Sequence, residues 1–359
     1  MKRSIPVLLI VALLTLSCST ITIPINQSVS STAVSVHQAP GTADGVLLFS
    51  IGMHIEPFGE TAQGYPGSTK ADYNDEAFFQ RHVEDIRLVA EIVASHGGKM
   101  TIQAQSPFTS TAIRLKDPIL ADLYGHGHEI ALHFHENAHL GKNEERKPVK
   151  DWCTAMSDEV TLIQQAVNLD AASKNVDIRY WSGGNLYPQI FEAAACAGLD
   201  VNSDWKNPET QTTDISLVGI HPWRPAGGTS GDDFSLLSSH DPTGKVVFLP
   251  EGLYDETDFA SRRRSEDSGG DEAYFEYLKE IFENSLAAAE PGKVNVFHFT
   301  VHAGEFRGDP AHPFEVIERF LTEVVDPAVA AGKVRWATFS EVADAFTAWE
   351  VAHPSEDPR

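Results

Sequence analysis

The chain has 359 residues, and 42% of them are hydrophobic, which suits a soluble globular protein with a full core rather than a disordered chain. Twenty-seven basic residues against fifty-one acidic ones leave a formal net charge of −24 at pH 7. So acidic a surface repels phosphate backbones and anionic headgroups, which argues against nucleic acid as a partner. Nothing in the sequence demands an oligomer, and we expect a monomer.

The N-terminus predicts export. A basic start, "MKR", is followed by an apolar run from Ile5 to Leu16 and by small residues before Cys18. The run is too short to cross a bilayer, and residues 1–18 have the layout of a secretory signal. "LTLSC" resembles a bacterial lipobox, in which the cysteine carries the lipid, although Thr15 stands where an aliphatic residue is commoner. An ordinary cleaved signal and an uncleaved anchor are the alternatives.

Residues 19–43 are rich in Ser, Thr and Pro and carry no charge, so they predict a solvated tether. We therefore expect a cell-envelope lipoprotein on the periplasmic or outer side, bound to the membrane only through a lipid at Cys18. With an unlipidated signal it would be periplasmic or extracellular. In such a compartment Cys153 and Cys196 could pair. Because Cys196 lies in the apolar stretch "FEAAACAGL", two buried thiols are the favoured interpretation.

From Gly45 onward predicted strands and helices alternate. The predicted strands are 45–54, 99–105, 128–135, 176–184, 199–205, 245–252, 292–302 and 333–339, and the predicted helices are 75–95, 117–125, 157–172, 187–198, 272–289, 313–331 and one from Ser340. The segment 206–270 is less regular and predicts loops or a surface insertion.

Apolar strands that alternate with amphipathic helices indicate an α/β protein with a parallel sheet and helices outside. About seven such units fit a (β/α) barrel better than an open doubly wound sheet, and no glycine-rich phosphate loop follows the first strand. We predict that residues 44–350 form one barrel, seven-stranded and incompletely closed.

In a barrel of this type the C-terminal ends of the strands meet at one rim, where active groups lie. Unusual polar and aromatic residues fall at those predicted ends. They are His54, Glu56, His133, His135, Arg179, Trp181, Asn185, Asp204, Trp205, His302 and Glu305.

His133 and His135 are two residues apart on a strand and so share one face, as do His54 and Glu56. Imidazoles with a carboxylate are a common ligand set for a divalent ion that keeps an open position, where bound water loses its proton near neutral pH. We expect these four residues to bind the metal. Glu56 or a neighbouring acid would act as base and His302 as acid.

The remaining rim residues, Arg179, Trp181, Asn185, Asp204, Trp205 and Glu305, are candidates for substrate binding. Trp181 and Trp205 could also be core residues, although aromatic side chains on a polar rim often stack on sugar faces. His128 precedes its strand and is expected to be structural, and His139 is expected in a loop beyond the strand. His298 is expected in the barrel interior.

Three segments resemble the polysaccharide deacetylase family, the NodB-homology or carbohydrate esterase family 4 group. "YGHGHEIALHFHEN" is similar to its second motif, "RYWSGGNLYPQIFEAAACAGLDVNSDW" to its third and "VNVFHFTVHAGEF" to its last. The resemblance covers roughly residues 45–345. It implies a hydrolase that deacetylates a polysaccharide or other glycan with a divalent metal, zinc before cobalt, manganese or nickel.

Arg179 is the candidate for the Arg of the third motif, but the Pro that often follows it in the family is absent. The chain also departs from the family pattern at two places that concern the metal site. Family members show a Thr-Phe-Asp-Asp-Gly segment on the first strand, whereas "LLFSIGMHIEP" has no Asp and offers His54 and Glu56 instead. The second histidine of the second motif is replaced by Asn137, and His135 is the candidate substitute on the same strand face. These changes put the usual zinc site and the usual base in question.

Two other functions remain open on the sequence. A glycoside hydrolase would use a carboxylate pair drawn from Glu56, Glu136, Asp204, Glu251 and Glu305, although that chemistry does not need so many histidines. The missing Asp pair favours a non-catalytic, glycan-binding lipoprotein on a degenerate deacetylase scaffold.

Overall fold

The computed structural model describes residues 45–56, 73–169, 176–183, 187, 189–203, 215–226, 234–253, 271–303 and 314–359. The strands are β1 (Leu47–His54), β2 (Met100–Ala104), β3 (Glu129–His133), β4 (Tyr180–Ser182), β5 (Val201–Asn202), β6 (Val247–Phe248), β7 (Asn295–His302) and β8 (Val334–Trp336). The helices are α1 (Glu76–Ser95), α2 (Phe108–Leu115), α3 (Ile119–Gly125), α4 (Glu136–His139), α5 (Val149–Val167), α6 (Ile190–Cys196), α7 (Phe234–Leu237), α8 (Asp271–Ala287), α9 (Phe314–Phe320), α10 (Asp326–Ala330) and α11 (Phe339–Ala352).

The strands form one parallel sheet in the order β6-β5-β4-β3-β2-β1-β7. The eighth strand, β8, pairs with residues 47–49 of β1, whereas β2 pairs with residues 51–54 of β1. The sheet curls, but its end strands β6 and β7 do not pair with each other in the described part of the chain. The predicted incompletely closed (β/α) barrel with outer helices is therefore confirmed, with β8 added to the seven strands.

The gap between β6 and β7 is bridged by a short segment rather than by a strand. Trp223 pairs antiparallel with Phe248 of β6, and the Ile220 carbonyl accepts a hydrogen bond from Val296 N of β7 at 2.7 Å. The segment 206–270 was predicted to be irregular, and this described part of it does lie on the barrel.

All eight residues of β1 are buried, because the strand is covered on both faces. Residues such as Phe49 and Ile51 belong to the large core shared with the outer helices. Leu48 belongs to a second cluster, which fills the inner side of the sheet together with residues of α11. Helix α11 begins with a capping box between Thr338 and Glu341.

The N-terminus of α11 is fixed inside the barrel by Glu129. The Glu129 carboxylate accepts hydrogen bonds from Ser340 N at 3.3 Å and from Thr101 Oγ1 at 2.7 Å, and it also contacts Ser340 Oγ. A carboxyl group is favourable at a helix N-terminus, because it accepts hydrogen bonds from N–H groups that have no partner within the helix. Burial raises the pKa of Glu129. Glu129 therefore ties the start of β3 to α11.

Several predicted elements differ in extent. Helix α5 begins at Val149, eight residues before the predicted start, and buries Trp152 and Met156 on one face. Helix α2 was not predicted at all. The predicted helix 313–331 is broken by a π-helical turn over Leu321–Val325. Within the described residues, no helix is long and apolar enough to cross a membrane.

Cys153 and Cys196 form a disulfide, with their Cα atoms 5.7 Å apart, so the expectation of two buried thiols was wrong. The reason is the packing of α5 against α6, which brings the two residues together. Cys196 is also exposed rather than buried, because it lies on the outer side of α6.

Removing the disulfide should destabilise the protein. Closing a loop of 43 residues restricts the unfolded chain, so the double variant Cys153→Ala/Cys196→Ala should lose about 2–4 kcal/mol of free energy of unfolding. Urea denaturation with and without dithiothreitol measures this. Reductant should lower the stability of the wild type and leave the double variant unchanged, and a wild type indifferent to reductant would contradict the prediction.

Candidate functional site

The strand register places the candidate residues in two layers of the barrel interior, at the C-terminal ends of the strands. His54 is in register with His302 of β7 and with Gln103 of β2. Because side chains alternate between faces, residues two positions further on form the next layer. That layer contains Glu56, Gln105, His133 and Ser182, and the last two are in register.

Glu56 lies at the centre of four histidines. Its Oε2 is 2.6 Å from His135 Nε2, and its Oε1 is 3.5 Å from His133 Nε2 and 3.7 Å from His302 Nε2. The ring of His54 stacks on that of His133 with centroids 4.2 Å apart. The structure thus brings together all five residues predicted to be ligand, base or acid.

The Glu56 side chain is only 10% exposed. Burial raises the pKa of this carboxyl, but His133 and His135 lower it further, and the net result is a pKa well below the usual value. Glu56 is therefore ionised at neutral pH. A carboxylate of such low pKa is a weak general base but is ready to act as a ligand, which favours the predicted role of Glu56 as a metal ligand over its predicted role as a base.

His133 is held by the strand that follows it in the sheet. Its Nδ1 is 2.7 Å from Ser182 Oγ of β4, which leaves Nε2 directed towards Glu56. Gly183 has a φ of +75°, and a Cβ there would lie 2.8 Å from His133 Cε1. The imidazole thus packs against a residue that has to be glycine, both because of its positive φ and because a Cβ would clash with His133.

His135 and His139 are tied together through Gln105, which is fully buried. Gln105 Oε1 accepts from His135 N at 3.3 Å and lies 2.8 Å from His139 Nε2. The second His139 nitrogen is 3.4 Å from Glu159. Burial lowers the pKa of His139 to about 4, so it is neutral and supports the site from behind.

Asn137, which stands where the family motif has a histidine, is exposed on the short helix α4. His135 immediately precedes that helix and contacts Glu56. The position of the usual second ligand is therefore turned away from the cluster, and His135 takes its place beside Glu56.

Two residues predicted at the rim lie elsewhere. Arg179 precedes β4 and pairs with Asp200 at 2.9 Å and Asp344 at 2.6 Å, so it lies at the opposite end of the strand. Trp181 is fully buried in the core that faces the outer helices, because the inward positions of β4 are those of its neighbours Tyr180 and Ser182. These placements correct the expectation that both residues face substrate.

The other predictions divide into placed and untested residues. His128 is structural, as expected, since its Nδ1 accepts from Met100 N at 3.0 Å. His298 is buried in the interior, 3.2 Å from the Leu249 carbonyl oxygen. Asn185, Asp204, Trp205, Glu305, Cys18 and the whole of residues 1–44 lie outside the described residues.

Sequence reasoning missed Gln105, Ser182, Gly183 and Glu159. One signal was available: in "MTIQAQ" the polar residues Thr101, Gln103 and Gln105 alternate with apolar ones, as expected for a strand that turns a polar face inward. The roles of Ser182 and Gly183 depend on register with β3, which no local pattern contains.

The donor groups fit a divalent metal. In two sets of three residues the potential ligand atoms lie within 4.8 Å of one another, namely His54, Glu56 and His302, and Glu56, His133 and His135. Two imidazoles and one carboxylate are a ligand set of catalytic zinc sites. Among the described residues, Glu56 belongs to both sets.

Comparison with known proteins shows the fold. A protein from Parabacteroides distasonis described as a glycoside hydrolase/deacetylase has a TM-score of 0.55 at 14% identity, over 87% of this chain and 73% of its own. Puue allantoinase has 0.54 at 16%, over 89% and 94%. A protein from Pseudomonas aeruginosa PAO1 described as a polysaccharide deacetylase has 0.51 at 15%, over 89% and 95%.

The chain has the polysaccharide deacetylase fold. The resemblance inferred from the three motifs is thus confirmed at the level of the fold. No protein-family model matches the sequence, and neither does any curated protein.

Substituting Gly183 should disturb His133, and Gly198 offers a matched control. Both glycines have positive φ, +75° and +83°, but no atom lies within 4 Å of a Cβ at Gly198. Gly183→Ala and Gly198→Ala should each lose about 1–2 kcal/mol of stability from backbone strain. Only Gly183→Ala should also shift the imidazole NMR resonances of His133, and equal spectra for the two variants would contradict the packing described above.

Proposed function

We propose that the protein is a divalent-metal-dependent hydrolase that removes acetyl groups from a glycan. The observation that carries the proposal is the ionised, buried Glu56 surrounded by four imidazoles at the C-terminal ends of the strands. The fold adds support, since it is shared with proteins described as a polysaccharide deacetylase and an allantoinase.

Glu56, His133 and His135 are the residues that would hold the ion, because their ligand atoms lie close together and His133 is oriented from behind by Ser182. His54, which the sequence grouped with them, lies in the other set, with His302. A bound divalent ion supplies a Lewis acid for a carbonyl oxygen and lowers the pKa of water at its open position.

The exposure of the side chains suggests the direction of approach. His133 is 2% exposed, whereas His302 is 21% and His135 33% exposed. A substrate would therefore meet His302 and His135 first, while His133 and Glu56 stay shielded from water. Because His302 is partly exposed beside Glu56, its imidazole is placed to give a proton to the departing amine or alcohol oxygen.

The proposal also covers the substrate, a glycan, and the location of the protein, the cell envelope. The predicted glycan contacts are now Asn185, Asp204, Trp205 and Glu305. Arg179 and Trp181 are no longer among them. We further propose that Cys18 carries a lipid and that residues 19–43 tether the barrel to the envelope, where a polymeric glycan would be within reach.

Metal analysis and one substitution test the reaction. The soluble domain should hold a stoichiometric divalent ion and release acetate from acetylated glycan oligomers. His133→Gln should lower kcat/KM at least about 100-fold, since even residues behind the ligands matter by 10- to 100-fold. His126→Gln is the control, because His126 is exposed and outside the cluster.

Absence of a bound ion, together with acetate release unchanged in His133→Gln, would refute the proposal. Release of shortened sugars without acetate would favour glycoside hydrolysis instead. Glycan binding with no product of either kind would favour the non-catalytic scaffold.

The lipid anchor has a separate test. The full-length protein produced in a bacterium and labelled with an alkyne-bearing palmitate should incorporate the label and sediment with membranes. Cys18→Ala should do neither, because the cysteine provides the acylated atoms. An unlabelled wild-type protein would rule out the anchor and leave the proposed reaction untouched.

A further inference from the structure

The histidines around Glu56 form two pairs, at the end of β3 and on the adjacent strands β1 and β7, with only β2 between β3 and β1. His133 and His135 follow one another at the end of β3, and His54 and His302 are in register on β1 and β7. Each pair forms a compact potential ligand set with Glu56, and Glu56 is common to both. Four imidazoles and one carboxylate are more donors than the three protein ligands that a single catalytic ion uses.

The spacing of the ligand atoms allows Glu56 to serve either pair. Bonds of about 2.0–2.1 Å place neighbouring ligands of a tetrahedral ion about 3.3 Å apart. Glu56 Oε1 is 3.5 Å from His133 Nε2 and 3.7 Å from His302 Nε2, so it has a suitable spacing towards both pairs. Its other oxygen already contacts His135 at 2.6 Å.

We propose that the cluster has a second divalent-cation site, formed by His54, His302 and Glu56, so that Glu56 bridges two ions. The proposal rests on the proposed function, which supplies the first ion at Glu56, His133 and His135. Two imidazoles and a carboxylate oxygen leave each ion an open position, and paired metal sites with ions about 3.5–4 Å apart are a known arrangement in hydrolytic enzymes.

The second site fills after the first and more weakly. It shares a carboxylate whose charge the first ion already neutralises, and it brings a second double positive charge close to the first. His133 also has a fixed orientation through Ser182, which favours the first site. Filling the second site occupies the His302 imidazole, so it removes the proton donor and inhibits the reaction.

Cobalt titration of the metal-free protein tests this. Protein dialysed against a chelator is titrated with Co²⁺ in about 0.3 M salt, which screens the acidic surface. Calorimetry and the visible Co²⁺ spectrum count the sites, and elemental analysis gives the bound metal. We expect two binding events per chain in the wild type, with acetate release maximal near one equivalent and falling as the second event proceeds.

Variants assign the sites. His302→Gln and His54→Gln should each retain only the tighter event, whereas His126→Gln should retain both. Circular dichroism and thermal unfolding establish that each variant is folded, and the wild-type stoichiometry stands independently of them. The coupled electron-spin resonance of two Mn²⁺ ions in the wild type, and an uncoupled signal in His302→Gln, provides a readout that does not depend on activity.

The outcomes separate this proposal from the proposed function. One Co²⁺ per chain with acetate release overturns the second site and leaves the hydrolase intact. If the wild-type protein binds no Co²⁺, both the second site and the proposed metal-dependent hydrolase are overturned. Loss of all Co²⁺ binding in folded His302→Gln overturns the second site, because it means that all four histidines serve one ion. A second event that persists in His302→Gln also overturns it, since that ion then binds elsewhere.

Discussion

The strand-end cluster depends on the interaction between the negatively charged Glu56 carboxylate and the histidines around it. Taking an ionised carboxylate out of water costs several kcal/mol unless hydrogen bonds and opposite charges replace the lost hydration. Here the imidazoles of His133, His135 and His302 surround it. The same contacts that stabilise the buried charge also direct imidazole nitrogens at the two oxygens of Glu56. The stability of the buried carboxylate and the close placement of the potential ligand atoms thus have one origin.

The register of the parallel strands makes this possible, because the five residues come from three strands. The pairing of His54 with His302 and of His133 with Ser182 fixes which side chains share a layer. Shifting any strand by one residue would turn its inward side chains into the outer core. Further down the barrel, Glu129 of β3 and Thr101 of the neighbouring β2 contact each other, and Glu129 also contacts the start of α11. The packing there and the site above therefore depend on the same strand register.

Much of the fold could be predicted from the sequence where a pattern is strong and local. The continuous apolar run of β1 and the helical spacing of α1 were sufficient, and the inward pairs of His54 with Glu56 and His133 with His135 followed from alternation alone. The predicted positions of Arg179 and Trp181 at the rim were wrong. The three-residue extent of β4 decides which position is the strand end and which side chain faces inward, and no local pattern contains that extent. The disulfide could not be predicted because it depends on the packing of α5 against α6.

The disulfide also encloses β4. Cys153 precedes that strand and Cys196 follows it, so Ser182 and Gly183, which support His133, lie within a covalently closed loop. The oxidation state of these two cysteines, which lie outside the site, thereby limits how far Ser182 and Gly183 can move relative to His133. Protein produced in a reducing cytoplasm would lack this disulfide, whereas protein produced in an oxidising compartment would contain it. The expression compartment therefore decides whether the loop that carries Ser182 and Gly183 is covalently closed.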